Sequence, residues 1–253
     1  MNNASRIFSI ALAAIGFFAP AIRAGVADLK TDWSESLNPH ASSFGTWQFN
    51  QTSTPLVHIN SWQSIPAQSG WGPSGTQTSS NQCPFICRSL AGLTDPTSGF
   101  GAGYQAGDII LHSQDKYNGP TNGKTAIDWI SSTNDTVTIS GALWPTRTLF
   151  QRENKYTLYL NPAGANTVLA SGFILEDGTI TRSSPLTFGI PSLVIHPGDV
   201  LRLQVEQSGR VTGIQEGAGD FSGVNFTITS VPEPASLLVF GLGGGVLLLR
   251  RKR

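Results

Sequence analysis

The sequence predicts an all-β body, an antiparallel β-sandwich of jelly-roll type, flanked by two short apolar ends. Three observations carry this. Apolar and polar residues alternate with period two in several short runs, the pattern of strands covered on one face only. Turn-forming pairs separate those runs, and no convincing helical stretch lies between the two ends. The 253 residues include 28 Gly and 15 Pro, 39% are hydrophobic and only 13% are charged, which fits a turn-rich folded chain rather than a disordered one.

In chain order, the first element is a secretory leader over residues 1–24. Arg6 precedes a 12-residue apolar run from Ile7 to Phe18, and small residues then offer cleavage after Ala21 or Ala24. That run is shorter than the roughly 20 residues of a membrane span and lies where a signal peptide places its apolar core. The body, 25–230, begins with a strand-like run around Trp47. Alternation then stops between Trp62 and Gly107, where 46 residues include eight Gly, seven Ser and four Pro. The segment 62–107 reads as an irregular insert, and structureless loops of that length are uncommon unless functional or disordered.

Cys83 and Cys87 fall inside it, in the sequence CPFIC. In an exported chain, two cysteines this close are expected to pair as a disulfide. Closing five residues would contribute about 2 kcal/mol, enough to shape a loop. A metal or redox role is weaker, since a lone CxxxC has no second pair of ligands.

After a strand-like run at Trp129, four segments alternate cleanly. Thr136–Ser140 sets Val137 and Ile139 against hydroxyls. Tyr156–Asn161 sets Tyr156, Leu158 and Leu160 against Thr157, Tyr159 and Asn161. Leu201–Glu206 sets Leu201, Leu203 and Val205 against Arg202, Gln204 and Glu206. Val224–Thr229 sets Val224, Phe226 and Ile228 inward. The intervening turns are Asn134-Asp135, Asn161-Pro162, Asp177-Gly178 and Pro197-Gly198-Asp199.

The last element is a tripartite tail over 231–253. Val231-Pro232-Glu233-Pro234 precedes fifteen apolar residues, 235–249, and the basic cluster Arg250, Arg251, Lys252 and Arg253. As a helix the apolar run would span about 22 Å, short of the roughly 30 Å hydrocarbon core. The basic cluster would stay cytoplasmic. The expectation is a short transmembrane helix with a stop-transfer tail, suited to a temporary tether.

The three parts together closely resemble the PEP-CTERM sorting signal of Gram-negative bacteria. The resemblance implies recognition by an exosortase, an integral-membrane protease that cleaves near Pro-Glu-Pro after signal peptidase has removed the leader. It also implies export through a transient anchor in the inner membrane to the cell surface or beyond, often in bacteria that make exopolysaccharide and biofilm matrix. A second resemblance covers roughly 105–230. Gly107-Asp108 to His112, Ala126-Ile-Asp-Trp129 and Thr136 to Gly141 are similar to a class of PEP-CTERM ectodomains that in turn resemble carbohydrate-binding-module sandwiches. Two departures stand out: that class has Pro-Gly where this chain has Ser113-Gln114, and Arg where it has Asp128.

The charge balance narrows function further. The whole chain has 16 basic and 16 acidic side chains, but the body without leader and tail keeps ten basic and fifteen acidic. A mildly acidic body is poorly suited to nucleic acid or anionic lipid. No nucleophile motif or clustered metal-ligand set is present; His40, His58, His112 and His196 are scattered, and Glu176-Asp177 reads as a hairpin turn. Asp108, Asp199 and Asp220 would bind calcium only if the fold brought them together. No catalytic residue, metal or cofactor is therefore expected. Trp47 and Trp129 are expected in the core, whereas Trp62 and Trp71, at the insert, are the candidates for stacking on a glycan. The function read from sequence is an exported structural or adhesive surface protein, with a carbohydrate-binding module and a cryptic hydrolase as alternatives.

Overall fold

The computed structural model describes residues 25–63, 65, 67–78, 81–92, 102–114, 123–147, 150–160, 166–208 and 219–232. The leader with Ala21 and Ala24, and the tail from Glu233 through Pro234 to Arg253, lie outside the described residues.

Fifteen strands form in chain order. They are β1 (Val26–Asp28), β2 (His40–Ala41), β3 (Gly45–Gln51), β4 (Thr54–Pro55), β5 (Val57–Ile59), β6 (Gly70–Gly72), β7 (Phe85–Arg88) and β8 (Ile109–His112). β9 (Thr125–Ser131), β10 (Asp135–Pro145), β11 (Glu153–Leu160), β12 (Thr167–Leu175), β13 (Leu186–Ile195), β14 (Val200–Gln207) and β15 (Phe221–Ser230) follow. Among the described residues there is no helix.

The strands build two sheets, and every pairing is antiparallel. One sheet runs β13-β10-β15-β8-β7-β6-β5, with β1 also on β15; the other runs β12-β11-β14-β9-β3-β2, with β4 on β3. From β8 to β13, successive strands fall in alternate sheets except at β11 to β12, so the two layers are built from interleaved chain.

Period two explains what fills the space between them. Trp47 and Phe49 from β3, Ile127 and Trp129 from β9, Leu158 from β11, Leu201, Leu203 and Val205 from β14, and Val224, Phe226 and Ile228 from β15 share one apolar core. These include the inward sets expected from the alternating runs. Two of the expected turns close on glycines, Gly178 and Gly198, with φ of +83° and +89°, which glycine adopts without the Cβ penalty; the expected turn at Asn161-Pro162 lies outside the described residues. β12 and β13 are the edge strands that alternation does not signal. Pro191 sits in β13 at the sheet edge, where a missing N–H breaks no inner ladder.

The segment 62–107 is not simply an irregular loop. It contributes β6 and β7 to the larger sheet and supports a second apolar cluster on that sheet's outer side. Ile86 points into the main core, while its neighbours Phe85 and Cys87 point outward into the second cluster with Trp62, Tyr104, Ile110 and Phe221.

Candidate functional site

Both tryptophans put forward for glycan stacking are interior. Trp62 is 1% exposed and stacks on Phe85 with centroids 4.5 Å apart and planes 4° from parallel. Its Nε1 donates to the Gln82 carbonyl at 2.8 Å. Trp71 is 3% exposed, lies in the main core beside Phe49, and donates to the Ser34 carbonyl at 3.2 Å. Stacking needs an accessible face, and neither indole has one.

The expected disulfide is also corrected. Cys83 and Cys87 are buried thiols. Cys83, Phe85 and Cys87 all lie in the outer apolar cluster, and the two sulfurs are not bonded to each other. Each thiol has its own neighbour: Cys83 Sγ lies 3.3 Å from His112 Nδ1, and Cys87 Sγ lies 3.8 Å from the Tyr104 hydroxyl. Burial pushes the Cys87 thiol and the Tyr104 phenol far up, so both stay protonated.

The three aspartates considered for calcium do not converge. Asp108 receives both Nε and Nη2 of Arg182, at 2.6 and 2.9 Å. Asp199 caps its own turn, accepting from the His196 amide at 2.9 Å. Asp220 is buried near the Glu176 carboxylate, with Arg147 Nε 3.9 Å from its Oδ1. Burial, then the neighbouring Glu176, raises Asp220 well above its ordinary value. Glu176 also accepts from the Phe150 and Arg152 amides at 3.1 and 3.0 Å, more than a hairpin-turn residue does. Among the described residues, no three His, Cys, Asp or Glu side chains are placed to hold a metal ion. Burial lowers the pKa of His40.

One surface does gather side chains suited to recognition: the outward face of the seven-stranded sheet. Register aligns Gln48 on β3 with Asp128 on β9, Arg202 on β14, Tyr159 on β11 and Val168 on β12. Five strands at about 4.8 Å spacing make this row about 19 Å long. The row beside it, Asn50, Ala126, Gln204, Thr157 and Ser171, is buried except at Ser171 and supports the first from below the surface.

At the centre, Asp128 is 4% exposed and held by three hydrogen bonds from two side chains. Arg202 Nε and Nη2 reach its two oxygens at 2.8 and 2.7 Å, and Asn50 Nδ2 donates at 2.8 Å. Such a fork fixes the guanidinium in plane and consumes the carboxylate charge. The hydrogen bond to Asp128, with smaller help from Tyr159, raises the Arg202 pKa further. The Asn50 amide oxygen is buried with no protein donor. The arrangement is a rigid, nearly neutral polar strip with one aromatic ring, Tyr159, beside the cation. The sequence showed Tyr159, Arg202 and Gln204 on the polar side of their strands, but not that they share a row.

Residues 230–253 match the PEP-CTERM protein-sorting motif. No curated protein matches the chain. Its structural neighbours include carbohydrate-binding-module β-sandwiches. The xylan-binding module CBM15 is 9% identical over 83% of this chain and 98% of its own length, with a TM-score of 0.35. A family 35 carbohydrate-binding module from Clostridium thermocellum is 11% identical over 56% of this chain and 88% of its own, with a TM-score of 0.30. The Eiger TNF of S. frugiperda is 11% identical over 44% of this chain and 66% of its own, with a TM-score of 0.27. The chain spans only 20% of the Podospora anserina GH26-CBM35 mannanase, which it also resembles.

Proposed function

We propose that this chain is an exported surface or matrix protein, tethered in the bacterial inner membrane by 235–249 until an exosortase cuts near Pro232-Glu233-Pro234. The observation that carries the reading is the sorting motif at 230–253, which begins on the last residue of β15. The leader would be removed by signal peptidase after Ala21 or Ala24, and the body, with no catalytic activity of its own, would serve a structural or adhesive role in exopolysaccharide or biofilm. Its strand order we read as a jelly roll, β8-β15-β10-β13 facing β9-β14-β11-β12. Mass spectrometry of surface protein tests the processing: the mature molecule should end near the Pro-Glu-Pro. A full-length Arg253 end on surface protein would overturn the reading.

A second reading, a carbohydrate-binding module, is favoured by the polar strip Gln48-Asp128-Arg202-Tyr159. Amides, a fixed guanidinium and a phenol ring offer a polysaccharide several hydrogen bonds and one stacking surface. Replacing Tyr159 with Ala should abolish retardation of the body in polysaccharide-containing native gels. Unchanged retardation would remove this strip from the binding role.

A further inference from the structure

The two ends of the body leave it at one corner. β1 runs antiparallel to β15, with Val26 opposite Thr229 and Asp28 opposite Thr227. The Ser230 amide donates to the Gly25 carbonyl at 2.8 Å, and the Val231 amide to the Thr136 carbonyl at 2.8 Å. Ala27 and Leu29 are fully buried in the main core, and Thr227 Oγ1 donates to Asp28 Oδ2 at 2.8 Å. The residue after the leader and the residues before the sorting segment are therefore stitched into one sheet corner.

That corner carries exposed apolar side chains. Inward alternation of Ala27, Ile228 and Ile195 leaves Val26, Val231 and Val194 on the outward face. They are 46%, 37% and 61% exposed. Val194 and Val231 flank Thr136 on neighbouring strands and border a cavity of about 240 Å³ shared with Ile195 and His196. Single exposed valines need no explanation, but three at the point of chain exit do.

Chain length says what covers them. Three residues, Pro232, Glu233 and Pro234, separate Val231 from Ala235, where the apolar run begins, and the four Cα steps reach at most about 14 Å. The headgroup layer occupies roughly 5–8 Å of that. Resting on the reading of 235–249 as a membrane segment, we infer that this corner is a docking face for the bilayer surface, occupied from insertion until the tail is cut. The surrounding Asp28, Asp135 and Asp199, with a single exposed imidazole at His196, make the contact one of valines in the interface rather than attraction to anionic lipid.

The test uses the full chain in phosphatidylcholine vesicles, with an environment-sensitive fluorophore on Val194→Cys, on Val26→Cys, or on Thr187→Cys. Thr187 is exposed on the same face of β13, because a bulge between the two restores the phase; their partners Ala142 and Thr136 are six residues apart, or about 20 Å at strand spacing. At 194 and 26 the emission should shift to the blue and lose quenching by aqueous iodide, while 187 keeps full quenching. Added phosphatidylglycerol should not strengthen the effect. Equal quenching at all three positions in chain that co-floats with vesicles overturns the docking inference alone. Chain that fails to co-float overturns the membrane-segment reading, and the docking with it. Protection that appears only when an exosortase is present in the membrane assigns the face to the protease and overturns bilayer docking.

Discussion

Replacing Trp62 with Ala separates a core role from a ligand role more sharply than any other change. Trp62 stacks on Phe85, meets Phe221 edge-on at 5.2 Å and lies 5.8 Å from the His112 ring. Truncating a buried Trp to Ala costs about 3–5 kcal/mol, and losing its bond to the Gln82 carbonyl adds about 1 kcal/mol. The expected loss is then about 5 kcal/mol, and at about 2–4 °C per kcal/mol for a domain of this size, Tm falls by roughly 10–20 °C. Because Trp62 belongs to the outer cluster, the damage should begin there: 62–112 should become protease-sensitive before β9–β15. Thermal melts followed by circular dichroism and timed proteolysis with fragment mass mapping measure both effects. Trp62→Phe, which keeps stacking but loses the indole N–H, should cost much less. A Trp62→Ala body that melts with the parent but no longer binds polysaccharide would refute the core assignment.

Three further outcomes follow from the same structure. Asp220→Asn should stabilise the body at pH 7: the raised Asp220 pKa contributes stability that is complete below 3.8 and lost as pH rises through the folded-state value. The gap between variant and parent in denaturant melts should therefore close at acid pH; a gap independent of pH would contradict the raised Asp220 pKa. Asp128→Ala should cost about 3 kcal/mol by leaving Arg202 without its carboxylate, and adding Arg202→Met should recover most of it; an equally destabilised double variant would argue against the pairing. Neither cysteine should react with an aromatic disulfide reagent in native unreduced protein, and two thiols should titrate on unfolding; no thiols after unfolding would restore the disulfide.

How far the sequence reached can be judged residue by residue. Alternation is a local property, so Val137, Leu158, Leu203 and Phe226 could be assigned to the core before any partner strand was known. The tail at 230–253 was equally legible, since its three parts adjoin in sequence. β12 and β13 escaped because edge strands tolerate Gly, Pro and exposed apolar residues that blur the period. Trp62 and Trp71 were misplaced because a Gly- and Ser-rich neighbourhood says nothing of what folds over it.

What the chain alone determined is which side chains of the cleanly alternating strands point together and that it ends in a sorting motif, because both depend on residues close in sequence. Only the tertiary structure decided that Asp128 meets Arg202 across 74 positions, that Arg182 meets Asp108 across another 74, and that Gly25 bonds to Ser230. Register between distant strands is set by how two sheets close on one core, and no local pattern records it.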